Sequence, residues 1–245
     1  MSSISIAAEE VFKIGNFSVT NSLLTTWVGI VLIILLVALA MRGKKMIPSG
    51  GQLILETLYL FFLNLCENVL GEKKTAEKAV PFIASIFIFV FAGNIFEIIP
   101  GVGSIGFFEQ EKFTPLFRPG SADLNMTIAL ALISVIMIQA VGFKTLGIGY
   151  IKKFINFSHP IKFFVGILET ISEIAKIISF SFRLFGNIFA GEVLLSVMLM
   201  LMPYFVPLPF YGLELFVAVI QAFVFAMLTL VFMKVAMIPH GGENH

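Results

Sequence analysis

Residues 161–202 read IKFFVGILETISEIAKIISFSFRLFGNIFAGEVLLSVMLMLM, a run of 42 without a proline. As one helix rising about 1.5 Å per residue the run extends about 63 Å, twice the ~30 Å hydrocarbon core of a bilayer. Such a helix cannot stand upright in a membrane. It also carries Glu169, Glu173, Lys176, Arg183 and Glu192, and a charge in lipid costs several kcal/mol unless it has a partner or a polar path. The segment is expected to lie steeply tilted beside a protein partner and to line a polar route.

The chain around it has 245 residues, 58% hydrophobic and 13% charged, with a mean hydropathy of +1.01. No soluble domain of this size needs so apolar a composition, so an all-α polytopic membrane protein is expected. The net charge is only +1, and the basic residues are scattered among links, which argues against nucleic acid as a partner. A single cysteine, Cys66, excludes an internal disulfide framework and reads as a small apolar residue. No metal site and no cofactor are expected.

The first apolar run ends in Ala38-Leu39-Ala40, which looks like a signal-peptidase site, but the charges run the wrong way. Glu9, Glu10 and Lys13 precede it and Arg42, Lys44 and Lys45 follow it, so residues 1–22 are expected as an external lead-in and 23–41 as a retained span. Residues 52–70 place Glu56, Asn64, Glu67 and Asn68 among leucines and aromatics on one helical face. An interfacial amphipathic helix, or one packed on other spans, suits that pattern better than a clean crossing. A charged link over 72–79 leads to spans at 80–100 and 122–143, the first with Asn94 and Glu97 near its far end, the second opening with Asp123 and Asn125. Between them lies a loop containing Glu109, Glu111, Lys112 and Arg118. After the long helix, Pro203, Pro207 and Pro209 make a tight turn into a last helix over 208–238, about 46 Å long and also tilted. Residues 239–245 form a tail.

Basic residues fix an orientation. Links assigned to the cytoplasm hold Arg42, Lys44, Lys45, Lys73, Lys74, Lys78, Lys144, Lys152, Lys153, Lys162 and Lys234, whereas those assigned outside hold Lys13, Lys112 and Arg118. Positive charge accumulates on the cytoplasmic side of membrane proteins, so the N-terminus is expected outside and the C-terminus in the cytoplasm. The expected architecture is five membrane-spanning helices plus one interfacial helix, with the last two helices forming a hairpin.

On the long helix Glu169, Glu173, Lys176, Arg183 and Asn187 are separated by four, three, seven and four residues, which at 100° per residue puts them on one stripe. Glu192, nine residues beyond Arg183, is rotated about 180° away and displaced about 13.5 Å. On the last helix Glu214 and Gln221 are seven apart and share a face, which an antiparallel hairpin can bring toward Glu192. Carboxyl groups withdrawn from water exchange protons nearer neutral pH than exposed ones do, while a guanidinium stays charged. An arginine between two carboxylate-lined surfaces is therefore a barrier to a proton crossing directly. A plainer reading is open for Glu169, Glu173 and Lys176, an ion-pair set that stabilises its helix at the interface. Asp123 fits either function or a charge reaching for the headgroups. Gly186, Ala190 and Gly191 read as a close-packing surface for another helix.

Residues 182–192, FRLFGNIFAGE, resemble the RLFGN-x-x-AGE signature of subunit a of the bacterial F-type ATP synthase, the stator proton channel. SADLN at 121–125 resembles that family's motif at the start of its fourth helix, and QAFVF at 221–225 its last-helix motif. The resemblance covers nearly the whole chain in order and spacing. It implies that Arg183 faces a ring of c subunits and that Glu192, Glu214, Gln221 and Asn187, with Asp123 and Asn125, belong to an outer half-channel. Glu169 and Ser172, with Glu173 and Lys176, match the inner one. It also implies b-type stator subunits and the lipid bilayer of a bacterial plasma (inner) membrane as surroundings. Many family members carry histidine where Glu214 stands; His159, His240 and His245 all lie in parts read as cytoplasmic, so no imidazole relay is implied. No phosphate-binding glycine loop is present, so no direct nucleotide binding is expected. The competing reading is a self-contained ion-coupled transporter with an intramembrane Arg/Glu site, against which stands the lack of an inverted repeat. An intramembrane enzyme lacks its catalytic constellation.

Overall fold

The computed structural model describes residues 9–15, 17–42, 48, 50–99, 105–109, 112–154 and 160–238. Lys44, Lys45, His159 and the tail 239–245 with His240 and His245 lie outside the described residues. The lead-in segment contains a hairpin, Glu10–Ile14 (β1) and Phe17–Thr20 (β2), paired antiparallel. Thr20 ends it and begins the first helix, Asn21–Ala40 (α1), by accepting a hydrogen bond from the Leu23 amide on its hydroxyl. Gly51–Leu70 (α2) closes on Gly71, whose φ of 81° is the left-handed conformation that lets a chain leave a helix at once. Lys73–Ile98 (α3) starts inside the charged stretch, so the residues expected as a link are its first turns.

A second hairpin, Gly106–Glu109 (β3) and Lys112–Pro115 (β4), sits in the loop expected between two spans. A 3-10 turn at Gly120–Ala122 then delivers the chain to Leu124–Leu146 (α4), capped by the Asp123 carboxylate. A 3-10 turn and the short helix Ile151–Phe154 (α5) precede Pro160–Leu201 (α6). Pro207 occupies the first position of Pro207–Met237 (α7), where its missing N–H costs nothing.

Six helices, α1, α2, α3, α4, α6 and α7, are long and apolar enough to cross a membrane by length and composition. With the two hairpins as its only sheet among the described residues, the chain is an all-α polytopic membrane protein. α2 buries Phe62, Cys66 and Leu70, spaced by four, and packs along α3 with Glu56, Asn64 and Asn68 exposed.

The last two helices pack on each other and also into the rest of the bundle. α7 packs most extensively on α3 and then α4, while α6 lies mainly on α4. The sequence of α7 supplies the reason: Ala218, Ala222 and Ala226, all buried, form a small-residue stripe that lets neighbouring backbones approach closely. Phe180 of α6 stacks on Phe225 of α7 with ring centroids 4.9 Å apart. The buried core draws on α2, α3, α4, α6 and α7 together.

α5 is seated against α6 at Gly166, where a Cβ would strike the Phe154 carbonyl oxygen. Backbone cannot rotate aside as a side chain can. Gly166→Ala is therefore expected to destabilise the protein by about 1–3 kcal/mol, read as a lowered thermal unfolding midpoint in detergent; an unchanged midpoint refutes the contact.

Candidate functional site

The buried face of α6 toward its external end consists of Leu184, Ile188, Gly191 and Leu195. By helical rotation Arg183 lies on one edge of this face and Glu192 on the other. Arg183 is partly exposed, and its Nη2 donates to Ser179 Oγ, 3.2 Å away on its own helix. No carboxylate pairs with it among the described residues. Beside it Phe182, Gly186, Asn187 and Ala190 are exposed, and no atom lies within 4 Å of where a Gly186 Cβ would stand. The face bearing the arginine is open, with the small residues Gly186 and Ala190 beside Phe182 and Asn187.

Polar groups continue outward from Arg183 in steps of about one helical turn. Asn187 Nδ2 donates to Gln221 Oε1 of α7 at 2.8 Å. One turn further, the Glu214 carboxylate lies directly against Gly191, where a Cβ would collide with both carboxylate oxygens. Glu214 is 5% exposed and Gln221 3%, so two polar side chains of α7 are held inside the bundle. Glu214 reaches α6 because residue 191 has no side chain. Glu192 turns the other way, to Arg118 Nη2 at 3.3 Å.

Above these groups Asp123 has both oxygens engaged. Oδ1 accepts from the Asn125 amide at 2.9 Å and Oδ2 from Ser22 Oγ of α1 at 2.7 Å. The Asn125 side chain is exposed. Asn94, fully buried on α3, accepts from Ser121 Oγ at 3.1 Å and donates to the Ala218 carbonyl at 3.4 Å.

At the opposite end of α6, Lys153 Nζ lies 2.6 Å from Glu169 and 3.9 Å from Glu173, and Lys176 Nζ lies 2.7 Å from Glu173. Lys153 is held by Tyr150 and Phe154, each ring centroid 5.7 Å from its ammonium, and Lys176 sits over Phe232 at 4.8 Å. These four charges form an alternating acid and base row. Glu173 Oε2 is buried without a hydrogen-bond partner among the described residues. Ser172 is exposed and makes no side-chain hydrogen bond among them.

Several partners were not legible in the sequence. Arg118 counted only as a loop charge, and its one signal is its place just ahead of SADLN. Lys153 counted only as a cytoplasmic charge, although the flanking Tyr150 and Phe154 hint at a held ammonium. Ser22, Thr25 and Ser121 carry no pattern that marks them, because hydroxyls reach their partners through tertiary packing. Among the described residues no group of three or more His, Cys, Asp or Glu could hold a metal ion.

Comparison with known proteins identifies the family of the chain. The family described as "ATP synthase A chain" matches residues 23–234. The chain is 32% identical over 233 residues to "ATP synthase subunit a" of Moorella thermoacetica, covering 95% of this chain and 96% of that one. It is 34% identical over 218 residues to the protein of the same name from Campylobacter jejuni subsp. jejuni (87% and 89% covered) and 36% over 213 residues to that from Nitratiruptor sp. (85% and 86%). Matched across nearly its whole length and theirs, the chain belongs to the ATP synthase subunit a family.

Proposed function

We propose that the chain is the stator proton-channel subunit of the ATP synthase Fo sector, carrying protons to and from a rotating ring of c subunits and performing no catalysis of its own. The observation that carries this reading is the state of Arg183. The acids Glu169, Glu173 and Glu192 each have a basic partner within 4 Å, while the arginine in the middle of α6 has no acid among the described residues. A guanidinium at membrane depth needs a carboxylate. An open face lined by Gly186 and Ala190 supports a ring helix as the source of that carboxylate. Arg183 then meets each ring carboxylate in turn and keeps protons from passing straight through.

Asn187, Gln221, Glu214 and Glu192, with Asp123 and Asn125 above, make the outer half-path in this reading. Glu169, Ser172, Glu173 and Lys176 make the inner one. b-type stator subunits hold the chain against rotation. The chain crosses a bacterial plasma (inner) membrane five times with α2 at the interface, its N-terminus outside and its C-terminus in the cytoplasm.

The test separates this from a self-contained transporter. Purified alone into vesicles, the chain is expected to conduct no protons, and together with its ring and stator partners to conduct them. Proton or solute transport by the isolated chain overturns the reading.

Gly191 supplies a further expectation. In Gly191→Ala the new methyl occupies the place of the Glu214 carboxylate, so proton movement through the assembled complex falls by about tenfold, as misplacement of a reacting group by an ångström or so costs. Gly212→Ala, on the same pair of helices with no atom within 4 Å, leaves the rate unchanged. Equal rates in the two variants contradict the role given to Glu214.

A further inference from the structure

Arg118 lies in the connection between β4 and the 3-10 turn, yet its side chain is 7% exposed, less than the 29% of its partner Glu192. It is fixed from behind. The Arg118 backbone N–H donates to Thr25 Oγ1 of α1 at 3.0 Å, and that hydroxyl donates in turn to the Asn21 carbonyl at 2.9 Å. Two residues on, Gly120 packs so closely on α1 that a Cβ there would strike Thr26 Oγ1. Ser22 of the same helix holds Asp123. Residues 118–123 are thus strapped to α1 at three successive points, one every two or three residues.

A strap so held presents its guanidinium at a set place. Glu192 is the reachable member of the pair, with Oε2 engaged at 3.3 Å and Oε1 taking no hydrogen bond from a described residue. An ion pair serving packing alone has no need for this asymmetry. We propose that Arg118 is a positioning residue for proton loading: carried on a strap that α1 anchors, it holds the Glu192 carboxylate by one oxygen and leaves the other open to the external side. This rests on the reading that Glu192 belongs to the outer half-path. It gives α1 a part in proton entry through Thr25 although α1 contributes no acid.

The test uses the complete complex in vesicles and measures the initial rate of proton movement, normalised to the amount of c subunit that co-purifies with the chain. Arg118→Gln is expected to lower the rate about tenfold by releasing Glu192 from its geometry, and Arg118→Lys to recover most of the loss. In a Glu192→Gln background Arg118→Gln is expected to have no further effect, since the group it positions is gone. The same fractional loss with and without Glu192, or no loss at all, overturns the proposal, because a merely structural arginine acts independently of that carboxylate. If Arg118→Gln does not assemble, Thr25→Val loosens the anchor instead and is judged by the same two outcomes. Arg183→Ala in parallel distinguishes the failures. If it leaves ATP synthesis by the complex intact the stator reading falls, and if it abolishes synthesis while Arg118 acts independently of Glu192, only the positioning role falls.

Discussion

With Arg183 replaced by alanine, the reconstituted complex is expected to synthesise no ATP above the rate of vesicles that lack it. The geometry makes this the largest single effect in the chain. Arg183 sits between Glu169 and Glu173 on one side and Glu192 on the other, each already with a basic partner, and beside positions of α6 that are exposed among the described residues. Its only side-chain hydrogen bond among the described residues is to Ser179, which cannot offset the cost of a guanidinium removed from water. Under the proposed function, removing it takes away both the partner for a ring carboxylate and the fixed charge that stops a direct leak. Each proton that leaks forfeits about 2.3 kcal/mol per 100 mV. Lysine keeps the charge but loses the planar fork; a charge-assisted hydrogen bond is worth about 1.5–3 kcal/mol, so Arg183→Lys is expected to lower synthesis by about tenfold or more. ATP synthesis at the wild-type rate in either variant removes Arg183 from the mechanism.

The double substitution Glu192→Gln with Glu214→Gln is expected to have the next largest effect. The two acids flank the same turn of α6, Glu214 pressed against Gly191 from α7 and Glu192 held by Arg118 on the other side. Glutamine preserves shape and hydrogen bonding but binds no exchangeable proton in this range. Each single variant retains the other acid, so a loss of about two- to tenfold is expected. The double variant leaves that stretch with amides in place of both acids, and a further drop of at least about tenfold is expected, within the 10²–10⁴ typical of a positioned proton-transfer group. The measurement is the initial rate of proton uptake by the assembled complex. An unchanged rate in the double variant rejects the outer half-path as drawn.

Much of this was legible before any coordinates. The proline-free run over 161–202 had to be one helix, and it is one from Pro160 to Leu201; its length had to exceed a bilayer, because rise per residue is a constant of the helix. The rotation between Arg183 and Glu192 follows from the same geometry, as does the shared face of Glu214 and Gln221, both of which are buried. The two hairpins were not legible, since four-residue strands in a loop give too short an alternation to stand out. Nor was the wrapping of α7 by α3 and α4, although the alanines that permit it are plain in the sequence.

What the sequence determined by itself was everything that depends on distance along a helix: which residues share a face, how far an acid stands from the arginine, and that the chain needs a membrane. Only the tertiary structure decided which charges meet. Glu192 finds Arg118 across 74 residues of sequence, Asn187 finds Gln221 across 34, and Asp123 finds Ser22 across 101. Helical periodicity is a local property, whereas an ion pair depends on how separate elements pack, and no spacing within one helix encodes which loop will fold back across its end.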